Sequence, residues 1–285
     1  MIEINGLTKQ FDDLLAVDNI TLTVRPGEVL ALLGPNGAGK TTTVRMLSAI
    51  LKPTAGHARV AGYDIVAQSS DVRRNVGVLT EAPGLYTRMT GREYLDFFGQ
   101  LRELPETARK ARIASLTDWF KMTDALDRRL GEYSKGMAQK IALVRTLLHD
   151  PPVLLLDEPT SAMDPTSARL VRDTIMQLRN NDHRTVIICT HNLPEAEELS
   201  DRIAIIRQGQ IIEQGTSAEL KARLLGPPLM EVRFLEPQQN GAVALIERFA
   251  AIQDAGDAWV RFSAPDPAVT NPAILQALTL SLIHI

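Results

Sequence analysis

Apolar residues follow several rhythms along this chain. At the start, "MIEINGLTKQF" (residues 1–11) mixes apolar and polar positions in the manner of a strand. Uninterrupted apolar runs come later: "VLALL" (29–33), "VLLL" (153–156) and "TVIIC" (185–189). Runs of this length predict strands of a parallel sheet covered on both faces. Polar residues wait at their exits: a glycine turn after the first, Asp157 and Glu158 after the second, His191 after the third. Ligands of such sheets bind at the strands' carboxyl ends. Between the first two runs, "YTRMTGREYLDFFGQLREL" (86–104) and "PETARKARIASLTDWFKM" (105–122) have helical periodicity. "EYSKGMAQK" (132–140) opens another helix, with Ser134 as a hydroxyl cap, Gly136 behind it, and good helix formers beyond. Past about Leu225 the pattern changes. "GPP" (226–228) marks a boundary, "MEVRF" and "WVRF" alternate like short strands, and "GAVALIERFAAI" between them reads as a helix. A small α+β appendage over 226–285 is expected. Its last stretch, "ALTLSLIHI", is apolar to the end, as in an incomplete subdomain or one whose edge a partner covers.

Charge and composition remove several classes of function. A net charge of −3 and a pI of about 6.0 leave no electrostatic footprint for nucleic acid. The pairs Arg73–Arg74 and Arg128–Arg129 are too short to change that and read as solvated faces. Hydrophobic residues at 45% and charged ones at 23% are ordinary for a soluble globular chain. No stretch approaches the ~20 consecutive apolar residues of a membrane span, and no secretory pattern opens the chain. The single cysteine, Cys189, lies inside an apolar strand, which excludes a disulfide framework and fits a reducing compartment.

The chemistry concentrates in "GPNGAGKTT". Gly34, four residues, Gly39, Lys40 and Thr41 complete the P-loop spacing, between a strand and a helix as the motif requires. Glycines let backbone N–H groups curl around phosphate oxygens. Lys40 neutralises the β- and γ-phosphates, the Thr41 hydroxyl is a hard ligand for Mg²⁺, and Thr42 adds a hydroxyl on the α-phosphate side. Asp157, at a strand exit, is placed to hold Mg²⁺ directly or through water. Glu158, one residue on, can activate a water attacking the γ-phosphate, and His191 can reach the same phosphate as a hydrogen-bond donor. The helix start at Ser134 is itself written for an anion, far from the phosphate loop in sequence.

With these motifs on the page, the chain resembles the ATP-binding subunits of ABC transporters. "GPNGAGKTT" matches Walker A, "VLLLDEPTSAMDP" Walker B with the D-loop, "CTH" the switch histidine, and "YSKGM" the signature. The match runs from about Glu3 to Gly215, and the "YSKGM" form is similar to that of sodium- and drug-efflux members. The resemblance implies an α/β P-loop ATPase fold: a RecA-like core, an antiparallel β subdomain, and a helical subdomain over about 82–150 within an ATPase domain of 1–225. It implies that Gly34, Pro35, Asn36, Gly37, Ala38, Gly39, Lys40, Thr41 and Thr42 hold the phosphates of ATP. Phe11 matches the aromatic that stacks on adenine, with a core phenylalanine as the other reading. Asp157 supports Mg²⁺, Glu158 is the base, and His191 the switch. Ser134 and Gly136 would serve a nucleotide on a second copy of the chain or on a paralogous ATPase subunit, and Asp164 would contact that opposing subunit. An integral-membrane permease subunit is implied as the other partner, received by the helical subdomain. Leu85, Tyr86 and Met89 are either its contacts or core residues. The implied location is cytoplasmic, peripheral on the inner face of the cell membrane.

The chain departs from the family pattern at Glu81, where a glutamine is usual. A carboxylate still offers Mg²⁺ an oxygen but adds negative charge and cannot donate a hydrogen bond when ionised. Lys135 and Met137 replace a glycine and a glutamine of the signature. Lys135 either adds charge near the partner's phosphate or extends into solvent. Competing functions are a non-transport ABC ATPase, which usually has tandem cassettes or a coiled-coil insertion, a protein that sequesters a drug under ATP control, and an unrelated P-loop kinase or GTPase. The last leaves "YSKGM" with "CTH" unexplained.

Overall fold

The computed structural model describes residues 1–161, 163–182, 184–226, 228–235, 241–264 and 266–282, and it divides into two compact units, Met1–Ser217 and Ala218–Ile285. In the first, strands β1 (Ile2–Phe11), β2 (Leu14–Val24) and β3 (Val29–Leu33) lead into helix α1 (Lys40–Leu47). Then come β4 (Ala55–Val60), β5 (Tyr63–Asp64), α2 (Ser69–Asn75), β6 (Val76–Leu79), α3 (Gly91–Leu101), α4 (Glu106–Trp119) and α5 (Lys135–Leu147). The unit continues through β7 (Val153–Asp157), α6 (Pro165–Asp182), β8 (Thr185–Thr190), α7 (Leu193–Leu199), β9 (Arg202–Arg207) and β10 (Gln210–Gly215). Helix α8 (Ser217–Leu225) spans the division between the units, so the break precedes "GPP" instead of coinciding with it.

The three apolar runs are β3, β7 and β8, in a six-stranded sheet of order β10-β9-β3-β8-β7-β6. Neighbours are parallel except β10, which returns antiparallel on β9. These strands are apolar throughout because both faces are buried. Leu30, Leu32, Leu155, Ile187 and Cys189 join one core, with α1 and the second sheet, β2-β1-β4-β5. Val29, Leu154, Leu156, Val186 and Ile188 turn to the other core, with residues of α3 to α6. Cys189 is fully buried, and burial pushes its thiol well above the ordinary value, so it is an inert strand residue. Register aligns the strand exits: Leu33 pairs with Thr190, and Asp157 with Cys189. The phosphate loop, the acidic pair and His191 therefore emerge at one edge, with β8 between β3 and β7.

The helical periods over 86–122 become α3 and α4. Thr90 caps α3 in a box with Glu93: Glu93 N–H donates to the Thr90 hydroxyl at 3.2 Å, and Thr90 N–H to the Glu93 carboxylate at 2.8 Å.

The second unit contains β11 (Leu229–Arg233), α9 (Ala242–Ile246), β12 (Ala251–Gly256), β13 (Trp259–Ser263) and α10 (Pro267–Leu282), with an antiparallel sheet of order β11-β13-β12. Ile246, Val260, Phe262, Ala264, Ile274 and Leu278 form its core. The expected strands stand as β11 and β13. The helix expected over "GAVALIERFAAI" stops at Ile246, and the third strand, β12, takes up its last two residues. Pairing with β13 overrides the local helical pattern there. Of the closing apolar run, Leu278 is buried in this core; residues 283–285 lie outside those described.

Candidate active site

The loop between β3 and α1 is shaped by its glycines. A Cβ on Gly34 would lie 2.3 Å from the Ile206 carbonyl oxygen. Gly39 caps α1 with φ +107°, a conformation closed to most side chains, and a Cβ there would meet the Ala16 carbonyl oxygen at 2.6 Å. From α1, the buried Lys40 ammonium donates to the carbonyls of Gly34 (2.6 Å) and Pro35 (3.1 Å) and stands 3.9 Å from the Glu158 carboxylate. The Thr41 hydroxyl donates to Asp157 Oδ2 at 2.7 Å.

At the exit of β7, Asp157 is almost wholly buried, and burial raises its carboxyl above the ordinary value. The Thr41 hydrogen bond opposes that rise, whereas the carboxylates of Glu158 and Glu81 add to it. Glu158 has φ +49°, a left-handed conformation uncommon for such a residue and one that concentrates at functional sites. Its N–H donates to the Cys189 carbonyl at 2.8 Å, and its Oε1 lies 2.8 Å from His191 Nδ1. The base and switch expected from sequence are thus one hydrogen-bonded pair.

Asp157 and Glu158 line a cleft of about 600 Å³ together with Phe11, residues 36–42, Glu81, Leu14, Leu15 and Gly209. Phe11 is 42% exposed on the cleft wall, which rules out the core reading, and the Lys9 ammonium sits 4.9 Å from its ring centroid. Gly34 and Pro35 lie on the adjoining side, with His191 and Leu193. Ser134, Gly136 and Asp164 do not line the cleft. Ser134 caps α5, its hydroxyl accepting the Met137 N–H at 3.2 Å. Gly136 is buried beside the Asp164 carboxylate and Ser167, and Asp164 accepts the Ser167 N–H at 3.0 Å at the start of α6. That bond holds the Asp164 carboxyl below the usual carboxylate value. Lys135 is exposed. Leu85 and Met89 pack half-buried against the helical core, while Tyr86 is 50% exposed.

The donor set fits a hard divalent cation bound with a nucleotide. Thr41, Asp157 and Glu81 offer oxygens in a cleft crowded with carboxylates. Among the described residues no group of three or more His, Cys, Asp or Glu could hold a metal alone, so phosphate and water must complete the shell.

Residues 17–161 match the family model described as ABC transporter. The chain is 40% identical to the ABC transporter ATP-binding protein NatA of Bacillus subtilis (strain 168) over 225 residues, which are 77% of this chain and 91% of that protein. The chain belongs to the ABC transporter family. As an ABC ATP-binding subunit it binds ATP and is an ATPase. It is also 39% identical to the daunorubicin/doxorubicin resistance ATP-binding protein DrrA of Streptomyces peucetius (84% of this chain, 72% of that one). Identity to the Nod factor export ATP-binding protein I of Burkholderia pseudomallei (strain K96243) is 35%, over 84% of this chain and 78% of that one. Among solved structures, an ATP binding subunit of an ABC transporter superposes with a TM-score of 0.71 at 27% identity, covering 79% of this chain and 94% of that one. The dimeric ATP-binding cassette MJ0796 bound to ADP and Pi, at 22% identity and TM-score 0.70 over 76% and 98% of the two chains, shares the ABC ATPase fold.

Two buried polar residues that contact the Glu158–Thr160 segment escaped the sequence motifs. Gln139 of α5, buried, donates to the carbonyls of Pro159 (3.3 Å) and Glu158 (3.5 Å), bracing the strained turn from below. A polar residue on the apolar face of α5 was its only signal. The other is Glu195, on α7.

Proposed function

We propose that the chain is the ATP-hydrolysing subunit of an exporter whose membrane-spanning part is a separate polypeptide. The observation that carries the hydrolytic reading is the convergence of Lys40, Thr41, Asp157 and Glu158 on one cleft, with His191 hydrogen-bonded to Glu158 from the adjoining side. Phe11 stacks on the adenine, and backbone N–H groups of residues 36–42 and Lys40 bind the phosphates. Glu158 takes the proton of the water that attacks the γ-phosphorus, while His191 orients the Glu158 carboxylate and meets the leaving phosphate. Mg²⁺, held by Thr41 and Asp157 with Glu81 nearby, supplies charge neutralisation when bound.

Ser134 and Gly136, which cap and open α5 away from the chain's own phosphate loop, complete the pocket of a second copy or of a paralogous subunit. That reading explains why one chain has two phosphate-seeking elements. Asp164, beside Gly136, reaches the same junction. The exporter assignment draws on the printed names of the relatives, for drug resistance and for Nod factor export. No helix among the described residues is long and apolar enough to cross a membrane. A permease subunit would supply the span and hold the chain at the inner face of the cell membrane. Its docking patch is Tyr86, Phe97 and Leu101, which are 50%, 43% and 64% exposed, with the Tyr86 ring against those of Phe97 and Phe98. The test is twofold. Purified protein releases phosphate from MgATP, and Lys40→Ala does not. Protein produced in its own host fractionates with membranes, and Phe97→Asp does not. Release unaffected by Lys40→Ala refutes the first part; membrane fractionation unaffected by Phe97→Asp refutes the docking patch.

A further inference from the structure

Asp157 and Glu158 face the cleft, but a further buried carboxylate at the same sheet edge does not. Glu195, 3% exposed, projects from the third position of α7. Its Oε1 accepts the Thr160 hydroxyl, and its Oε2 accepts the Thr190 hydroxyl at 2.6 Å. Thr190 is wholly buried, and its oxygen accepts the Asn192 N–H at 3.0 Å. The Asn192 side chain in turn accepts the Glu195 N–H at 3.3 Å. Among the described residues this carboxylate is held by hydroxyls and not by a cation. Burying a carboxylate without a cation is costly, and an apolar side chain would fill the same space at lower cost. A role beyond packing follows from where the two hydroxyls sit.

Thr190 is bonded directly to His191, and its carbonyl accepts the Gly34 N–H of the phosphate loop at 3.2 Å. Thr160 follows Glu158 and Pro159 and lies four residues before Asp164. We infer that Glu195 is a positioning residue for hydrolysis. Its two oxygens clamp the loops leaving β7 and β8 at Thr160 and Thr190, which keeps His191 Nδ1 and Glu158 Oε1 at hydrogen-bond distance. Glu195 touches neither ATP nor the reacting atoms. The inference rests on the hydrolytic reading of Glu158 and His191 above.

The test compares full-length parent with Glu195→Gln, Thr190→Val, Thr190→Ser and Thr160→Val, measuring phosphate release and equilibrium binding of a fluorescent ATP analogue. Misplacement of reacting groups by about 1 Å costs on the order of a hundredfold. Glu195→Gln is therefore expected to lower kcat by about ten- to a hundredfold, with KM and analogue affinity within about twofold of the parent. Thr190→Ser, which restores the hydroxyl, recovers most of the kcat that Thr190→Val loses. The double variant Glu195→Gln/Thr190→Val is no slower than the slower single variant, because both break one clamp. Thr160→Val, at a half-buried position, reports on the same clamp if Glu195→Gln does not fold. The inference is overturned if Glu195→Gln turns over ATP like an active parent, if analogue binding falls in step with kcat, or if Thr190→Ser loses as much as Thr190→Val. A parent that binds the analogue without turnover removes the hydrolytic reading, and this inference with it.

Discussion

Glu158→Gln separates hydrolysis from binding more sharply than any other substitution in the cleft. Glutamine keeps the side-chain volume, an oxygen within reach of His191 Nδ1 (2.8 Å in the parent) and the same backbone cost at φ +49°. What it loses is basicity. A positioned general base contributes roughly 10²–10⁴ in rate, equivalent to about 3–5 kcal/mol of barrier. Binding moves the other way. The carboxylate adds negative charge beside Asp157 in a cleft built for a triphosphate, and two unit charges about 4 Å apart interact by roughly 1–4 kcal/mol between fully aqueous and near-surface dielectric. Removing that repulsion leaves ATP affinity unchanged or higher. The expected result is a fall of at least about a hundredfold in kcat at saturating MgATP, with analogue affinity retained. A coupled phosphate-release assay and equilibrium fluorescence measure the two quantities on one preparation. A kcat within about threefold of the parent, while Lys40→Ala is inactive in the same assay, would refute the assignment of Glu158 as base.

Other expectations follow from individual residues. Burial lowers the His149 pKa from 6.5 to about 4, and Nε2 donates to the Val76 carbonyl at 3.2 Å. The unfolded chain therefore takes up a proton from about pH 6.5 downward while the folded chain does not until about pH 4, so stability falls as pH drops through that window. Thermal melts of His149→Gln should show a shallower loss between those pH values, and parallel curves would contradict this. At Gly34, alanine collides with the Ile206 carbonyl at 2.3 Å, whereas at Gly37 (φ +78°) a Cβ meets nothing within 4 Å. Gly34→Ala should abolish ATP binding. Gly37→Ala should cost only the left-handed penalty, about 1–2 kcal/mol, in urea melts. Thr41→Val removes the hydroxyl that Asp157 accepts at 2.7 Å, so the Mg²⁺ concentration giving half-maximal turnover should rise by about tenfold.

Much of this arrangement is legible in the sequence. A run such as "VLLL", too short for a buried helix, fits a parallel strand buried on both faces, and polar residues at the exit of such a strand fall at the ligand edge. The P-loop spacing is equally constrained by phosphate geometry, so the sequence already places Gly34 to Thr42, Asp157, Glu158 and His191 at strand exits, which the structure brings to one edge. What stayed hidden depended on contacts between distant segments. Gln139 and Glu195 hold the segment around Glu158 through partners 19–20 and 35 residues away, and no local pattern encodes such pairs. The same limit shortened the helix read in "GAVALIERFAAI": the hairpin with β13 claims residues 251–256, and local periodicity could not show a partner strand. Phe11 was undecided for a related reason, since whether it is buried depends on segments distant in sequence; it is exposed on the cleft wall.

The shared pocket is tested most directly by a disulfide between copies. One tagged preparation carries Ser134→Cys, a differently tagged one carries Asn36→Cys, and both carry Glu158→Gln; the buried Cys189 stays inert. The account predicts that mild oxidation joins the two tags in the presence of MgATP and not without it. Tags that stay separate at saturating MgATP, in protein shown to bind the nucleotide, would contradict a site built by two chains.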